Sequence, residues 1–318
     1  MTINDKSISA YDALRDPFGP PAAVPVAGGT LTVARSLSSL DQTDIAVLAI
    51  HGITGNGLIW RSVARDVTRR TPMSVLAPDL RGRGENAALP GPYGLATHVA
   101  DLLAVLDHLD IERAVLVGHS MGAYVAARIA AEHPERAAGL VLVDGGTHVS
   151  QLTEEAGTAA RAFLVGPALV RHAMPFVSVP AYLTFWRQHP AFVHAWNDDV
   201  EAYVLHDLSG RPGAFRYVVS IEALEADGDD MVSDQTDRNW IDQVQIPLHL
   251  LRAQHGVLGN ENPLIQRYEL DEFIARHPSA HVEEVPGVNH YTLLLGDSPG
   301  PSRVTAAIES AARPATKH

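Results

Sequence analysis

Between Thr30 and Gly146 the chain alternates short β-branched apolar runs with stretches whose apolar residues recur at helical spacing. This alternation predicts βαβ units around a parallel sheet. Strands are expected near Thr30–Ala34, Ile45–Ile50, Ser74–Pro78, Ala114–Val117 and Gly139–Val143, with helices between them. The clearest helix is Leu95–Leu109, where Leu95, Val99, Leu102, Leu103 and Leu106 share one face and Asp101, Asp107 and His108 avoid it. That face belongs to the core.

From Thr147 to about Val244 the sequence turns aromatic-rich and helical in pattern, and reads as an inserted cap. The β pattern resumes at Ile246–Leu251 and His281–Val285, followed by helical stretches Ile265–Arg276 and Pro301–Ala312. The expected organisation is an N-terminal extension 1–25, a core of 26–146 and 245–318, and a helical cap of 147–244. Within the cap, Glu222 to Asp237 carries seven acidic residues, Glu222, Glu225, Asp227, Asp229, Asp230, Asp234 and Asp237. No spacing there fits a calcium loop, so a solvated acidic loop is expected.

With 318 residues, 46% of them hydrophobic, the chain can bury a large core. A formal net charge of −13 argues against nucleic acid or an anionic membrane as partner and points to a small neutral molecule. The absence of cysteine excludes disulfides, thiolate nucleophiles and thiolate metal sites. Met1 to Pro21 carries five charged residues and no apolar block of signal-peptide length, and no stretch approaches a membrane span, so a cytoplasmic protein is expected.

Chemistry enters at Gly118-His119-Ser120-Met121-Gly122, set between the apolar run Ala114–Val117 and the small-residue helical stretch Ala123–Ala131. In a G-x-S-x-G elbow a strand turns sharply into a helix, and the apical serine takes a strained backbone that only bare neighbours accommodate. Ser120 is therefore the candidate nucleophile. A serine hydroxyl needs a base within hydrogen-bond reach. Of sixteen histidines, His290 stands in a loop just past the last expected strand, which puts it at the same carboxyl edge of the sheet as Ser120. An oxyanion hole needs two converging N–H groups: Met121 supplies one, and in His51-Gly52-Ile53-Thr54-Gly55 Ile53 is the first candidate for the other and Thr54 the second.

Together, Ser120, His290, the His51-Gly52 loop and Asp79-Leu80-Arg81-Gly82-Arg83-Gly84 resemble the α/β-hydrolase family, over Thr30 to Gly146 and Ile246 to the C-terminus. The resemblance implies a mostly parallel eight-stranded sheet flanked by helices, with a variable cap after strand six. Serine at the elbow argues against the family's epoxide hydrolases and haloalkane dehalogenases, whose nucleophile is a carboxylate. Arg83, where many members read R-G-H-G, is taken as neutral. The third catalytic member departs from the family's pattern, since no acid occurs in Arg252-Ala253-Gln254-His255-Gly256 after strand seven. Asp144, at the end of Leu140–Val143, is the first alternative, as in lipases and some lactonases of this fold; Glu261 is the second, and a site with no direct acid is the third.

The expected reaction is cleavage of a carboxylic ester or lactone through an acyl-enzyme, with no cofactor or metal. Phe185, Trp186, Phe192 and Trp196, with His119 at the elbow, are candidate pocket walls; cap-to-sheet packing is their alternative role. A C–C bond hydrolase, a lyase, a cofactor-free oxidative enzyme and a non-catalytic ligand receptor are the competing readings.

Overall fold

The computed structural model of the chain describes residues 17–37, 45–147, 154–232 and 239–313. Its main sheet has eight strands: β1 (Ala22–Val26), β2 (Gly29–Ser36), β3 (Ile45–Ile50), β4 (Val75–Pro78), β5 (Arg113–His119), β6 (Ala137–Val143), β9 (Leu248–Ala253) and β10 (His281–Val285). They lie in the order β1-β2-β4-β3-β5-β6-β9-β10, antiparallel from β1 to β4 and parallel from there on. Helices α1 (Arg61–Arg70), α2 (Leu95–His108), α3 (Met121–Glu132), α8 (Arg267–Arg276) and α9 (Pro299–Ala311) connect and flank them. This is the mostly parallel eight-stranded architecture expected, the α/β-hydrolase fold.

The central strands are legible because they are buried on both faces: β6 is buried at every position and β3 at all but Ile45. β1 escapes the pattern. Only Val24 of its five residues is buried, and Pro25 is tolerated because the strand lies at the sheet edge. β9 runs two residues later than Ile246–Leu251, since Arg252 stays inside the strand, donating from Nε to the Ile265 carbonyl at 2.7 Å.

Between β6 and β9 the chain forms α4 (Glu154–Ala173), α5 (Val179–Arg187), α6 (Asp198–His206), the two-residue ladder β7 (Leu208–Ser209) with β8 (Arg216–Tyr217), and α7 (Ile221–Val232). The cap limit read at 147 abuts residues 148–153, which lie outside the described residues, as do 233–238 within the cap and 1–16 of the expected extension.

The expected acidic loop is, over its described part, helix α7, and two of its acids are structural. Asp227 and Asp230 accept the N–H groups of Gly94 and Leu95, both at 2.8 Å, and so satisfy the N-terminus of α2. Asp234 and Asp237 lie outside the described residues. Asp101 also departs from the reading of α2: it is buried and holds the buried Arg81 bidentately, at 2.8 and 2.7 Å. Among the described residues no helix is long and apolar enough to cross a membrane.

Candidate active site

The parallel strands deliver their carboxyl ends to one edge, and the chain order reverses at β3, which pairs with β4 on one side and β5 on the other. Such a switch point opens a crevice. Ser120 sits there, between β5 and α3, at φ 55° and ψ −122°. The neighbours must be bare. A Cβ on Gly118 would lie 2.2 Å from the Gly122 carbonyl oxygen, and one on Gly122 2.2 Å from that of Ile50. The Ser120 N–H donates to the Val143 carbonyl at 3.0 Å, which locks the elbow onto the end of β6.

Asp144 follows immediately, fully buried and in the left-handed region at φ 48°. Its Oδ1 accepts the Ala253 N–H at 3.1 Å, and its Oδ2 lies 2.6 Å from His290 Nδ1. The carboxylate thus reaches the imidazole from the end of β6, while the end of β9, where the acid is usually found, supplies the N–H that orients it. Glu261 is exposed in the loop beyond β9 and is not brought to His290. Asn289 fixes the histidine's loop: its Oδ1 accepts the N–H groups of Tyr291 and Thr292 at 2.9 and 3.0 Å, and its Nδ2 donates to Ala191 of the insertion at 2.9 Å. With Nδ1 facing Asp144, Nε2 is left on the opposite side of the ring. His290 and Ser120 line one cavity of about 100 Å³.

His119 packs its ring on that of His290, centroids 4.2 Å apart, and donates from Nε2 to the His290 carbonyl at 3.0 Å. Burial holds it well below the usual histidine range, so it stays neutral.

The loop after β3 is held by its carbonyls. Leu80 N–H donates to His51 Nε2 at 2.8 Å, so the ring proton is on Nδ1, which donates to the Gly52 carbonyl at 2.7 Å. Burial pushes His51 down to about 4, which keeps the ring neutral and its Nε2 able to accept. Arg83 Nε donates to the Ile53 carbonyl at 3.0 Å and the Tyr217 hydroxyl to the Thr54 carbonyl at 3.2 Å. In a planar trans peptide the N–H points opposite the C=O. Fixing the Gly52 carbonyl therefore fixes the Ile53 N–H, and fixing the Ile53 carbonyl fixes that of Thr54. Arg83 is accordingly not neutral: it is buried and ion-paired at 2.5 Å with Asp227, which His98 also meets at 2.9 Å. Sequence reading misses this group because Arg83 and Asp227 lie 144 positions apart and neither stands in a motif that names the other.

A second cavity, of about 240 Å³, also borders Ser120 and is lined by Ile53, Met121, Tyr124, Met231 and Leu264. Of the candidate walls, Trp186 and His119 line the first cavity. Phe185, Phe192 and Trp196 lie outside both. Phe192 is fully buried against Trp186 and Tyr291 at 5.8 and 5.1 Å, Phe185 packs on Phe176 at 5.6 Å, and Trp196 sits under Arg187 and donates to Glu201 at 3.3 Å. These rings pack the insertion onto the core, Phe192 through its contact with Tyr291.

A buried polar joint ties the insertion to the sheet beside the crevice. His206 of α6 meets Asp79, at the end of β4, at 2.7 Å, and Asn56 Nδ2 donates to Asp207 at 2.9 Å. Asp79 also accepts the Gly57 and Glu85 N–H groups, at 2.7 and 2.8 Å. Burial opposes ionisation of Asp79, but His206 and the Gly57 N–H outweigh it and hold the carboxyl down to about 2. Burial likewise opposes protonation of His206, and Asp79 outweighs it, up to about 9. Burial pushes Asp207 up to about 7.

A raised folded-state pKa gives stability that is present at low pH and lost as pH rises. The His206 contribution is complete below its ordinary value of 6.5 and disappears as pH passes about 9. That of Asp207 is complete below 3.8 and disappears as pH passes about 7. The Asp79 share is present above 3.8 and fails only near 2. The expected result is a thermal midpoint that falls between pH 6.5 and 9, by an amount on the order of 1–3 kcal/mol in stability. In His206→Gln that fall should be smaller; an identical pH profile in variant and parent would contradict the assignment.

Comparison with known proteins agrees with the fold. A family model described as the alpha/beta hydrolase fold matches residues 45–167. The lipase LipV of Mycobacterium tuberculosis is 39% identical over 98 residues, covering 31% of this chain and 36% of LipV. The putative carbamate hydrolase RutD of Caulobacter vibrioides is 33% identical over 138 residues, covering 42% of this chain and 51% of RutD. The chain spans between 29% and 51% of the length of the curated relatives it matches. The crystal structure of E-2-(acetamidomethylene)succinate hydrolase is similar with a TM-score of 0.71, covering 91% of this chain and 97% of the other at 20% identity, a likeness of fold.

Proposed function

The chain carries the α/β-hydrolase fold, and on that premise we propose that it is a serine hydrolase cleaving a carboxylic ester or lactone. One observation carries the reading: a strained serine at the strand-to-helix elbow shares a cavity with a histidine whose Nδ1 is 2.6 Å from a fully buried carboxylate. Lipase and carbamate hydrolase relatives support a hydrolytic reading, since both names describe transfer of an acyl or carbamoyl group to water.

In the proposed mechanism His290 Nε2 takes the Ser120 proton as Oγ bonds to the carbonyl carbon. The developing oxyanion accepts from the Ile53 and Met121 N–H groups, with the N-terminus of α3 adding a favourable dipole. Collapse breaks the bond to the leaving oxygen, which takes the proton from His290. Water, deprotonated by the same imidazole, then releases the acid and restores Ser120. Asp144 holds Nδ1–H throughout and stabilises the imidazolium.

Wild type is expected to hydrolyse 4-nitrophenyl acetate or butyrate, and Ser120→Ala or His290→Ala to lose about 10³–10⁶-fold in kcat. Retention of wild-type rate in Ser120→Ala would refute the proposal. Tight binding of an apolar ester without turnover by wild type would favour a receptor.

A further inference from the structure

Five arginines are buried among the described residues: Arg61, Arg81, Arg83, Arg171 and Arg252. Four of them meet an acid: Arg61 meets Asp199 at 3.3 Å, Arg81 meets Asp101 at 2.7 Å, Arg83 meets Asp227 at 2.5 Å, and Arg252 meets Glu284. Arg171, on α4, is the exception. It is 9% exposed and lines the cavity that holds Ser120 and His290. Among the described residues no carboxylate lies within 4.0 Å of its guanidinium, and its buried Nε has no hydrogen-bond partner.

The guanidinium is held by its faces. Its Cζ is 4.0 Å from the centroid of Tyr217 and 4.8 Å from that of Trp186, with the Tyr217 hydroxyl as a polar neighbour. Stacking of this kind fixes the plane and leaves donors at the edge. The surroundings do not neutralise the charge. Asp207 is near enough to feel it but makes no ion pair with it, and is itself pushed up to about 7 by burial. His189, in the same cavity, is held down to about 4, first by burial and then by Arg171 itself. Burial raises the phenols of Tyr182, Tyr203, Tyr217 and Tyr291, which stay uncharged. A buried cation with no counter-charge is costly unless an anion arrives to meet it.

We propose that Arg171 is the recognition group for a carboxylate on the substrate, so that the preferred substrates are esters bearing a free carboxylate in addition to the bond cleaved. The inference rests on the serine-hydrolase reading for the reaction, but not for the binding. A planar guanidinium edge matches a carboxylate with two parallel hydrogen bonds, which a neutral acyl chain cannot make.

The test compares three esters: mono-4-nitrophenyl glutarate, with the carboxylate on the acyl side; 4-(valeryloxy)benzoate, with it on the leaving group; and neutral 4-nitrophenyl valerate. Wild type should favour one carboxylate ester over the neutral one in kcat/KM by about 10–100-fold, the range of a charged hydrogen bond. Whichever arm is favoured tells which half of the substrate Arg171 holds. Arg171→Met should collapse that ratio, mainly through KM, and Arg171→Lys should restore part of it. A wild type with no preference for either carboxylate ester, or a ratio unchanged in Arg171→Met, would overturn the proposal. Calorimetry with glutarate and 4-hydroxybenzoate separates the two readings. Should wild type hydrolyse none of the esters, the hydrolase reading fails, while binding of either anion that is lost in Arg171→Met would still sustain the role of Arg171. Absence of binding to a folded wild type that turns over no ester would defeat it.

Discussion

Asp144→Asn is expected to lower kcat for ester hydrolysis by about 10³–10⁴-fold with little change in KM. The substitution isolates the charge. Asparagine is among the few residues that accept a positive φ, so the backbone at 48° need not move, and the amide fills the volume of the carboxylate. What changes is the hydrogen bond at 2.6 Å. An amide nitrogen turned toward Nδ1 would donate to it, place the ring proton on Nε2 and so remove the lone pair that must accept from Ser120. An amide oxygen in the same place would keep the tautomer but provide no charge to offset the imidazolium. Glu261→Gln, on the exposed loop, should leave kcat within about twofold, the normal behaviour of a surface substitution. A severe loss in Glu261→Gln with little in Asp144→Asn would reverse the assignment of the acid.

Arg83→Met should destabilise the fold by about 3–5 kcal/mol, the range for breaking a buried ion pair by removing one partner. Asp227 is fully buried, and the loss would leave its charge with only His98 and the Gly94 N–H as partners. Two further bonds go with the guanidinium: those to the Ile53 carbonyl at 3.0 Å and the Arg81 carbonyl at 3.0 Å. The thermal midpoint should therefore fall by roughly 6–15 °C. The double variant Arg83→Met with Asp227→Leu should recover part of the loss, because no unpaired charge then stays inside. A change below about 1 kcal/mol in Arg83→Met would mean that water reaches the pair.

How far the sequence reveals this molecule depends on where each residue's partner lies. β3 is legible to the residue because an unbroken apolar run is a local signal, and β10 is legible to the residue despite its polar His281, Glu283 and Glu284. β1 is not, because an edge strand with one buried side chain and a proline has almost no hydrophobic pattern. Ser120 can be nominated from five consecutive residues, and His290 from its place past the last strand. The acid is harder to read. The usual position beyond β9 holds no carboxylate, and only the geometry places Asp144 against the imidazole. Long-range polar pairs were the least legible: Arg83 with Asp227, Arg81 with Asp101 and His206 with Asp79 join segments far apart, and a charged residue on a helix reads locally as a solvated one. The aromatic-rich insertion stays ambiguous in the sequence for the opposite reason. Its rings advertise apolarity, but composition does not say whether a ring faces a cavity, as Trp186 does, or packs between the insertion and the core, as Phe192 does against Trp186 and Tyr291.

The central claim is that the Ser120 oxygen bonds to the substrate's acyl carbon during turnover. It is tested most directly by mixing wild type with 4-nitrophenyl pivalate, whose hindered acyl group leaves slowly, quenching in acid, and locating the added mass by peptide mass spectrometry. The expected result is a burst of about one nitrophenol per chain, with the pivaloyl group on the peptide that contains Ser120 and neither signal in Ser120→Ala. Nitrophenol release by wild type with Ser120 unmodified and the acyl group on another residue would contradict it.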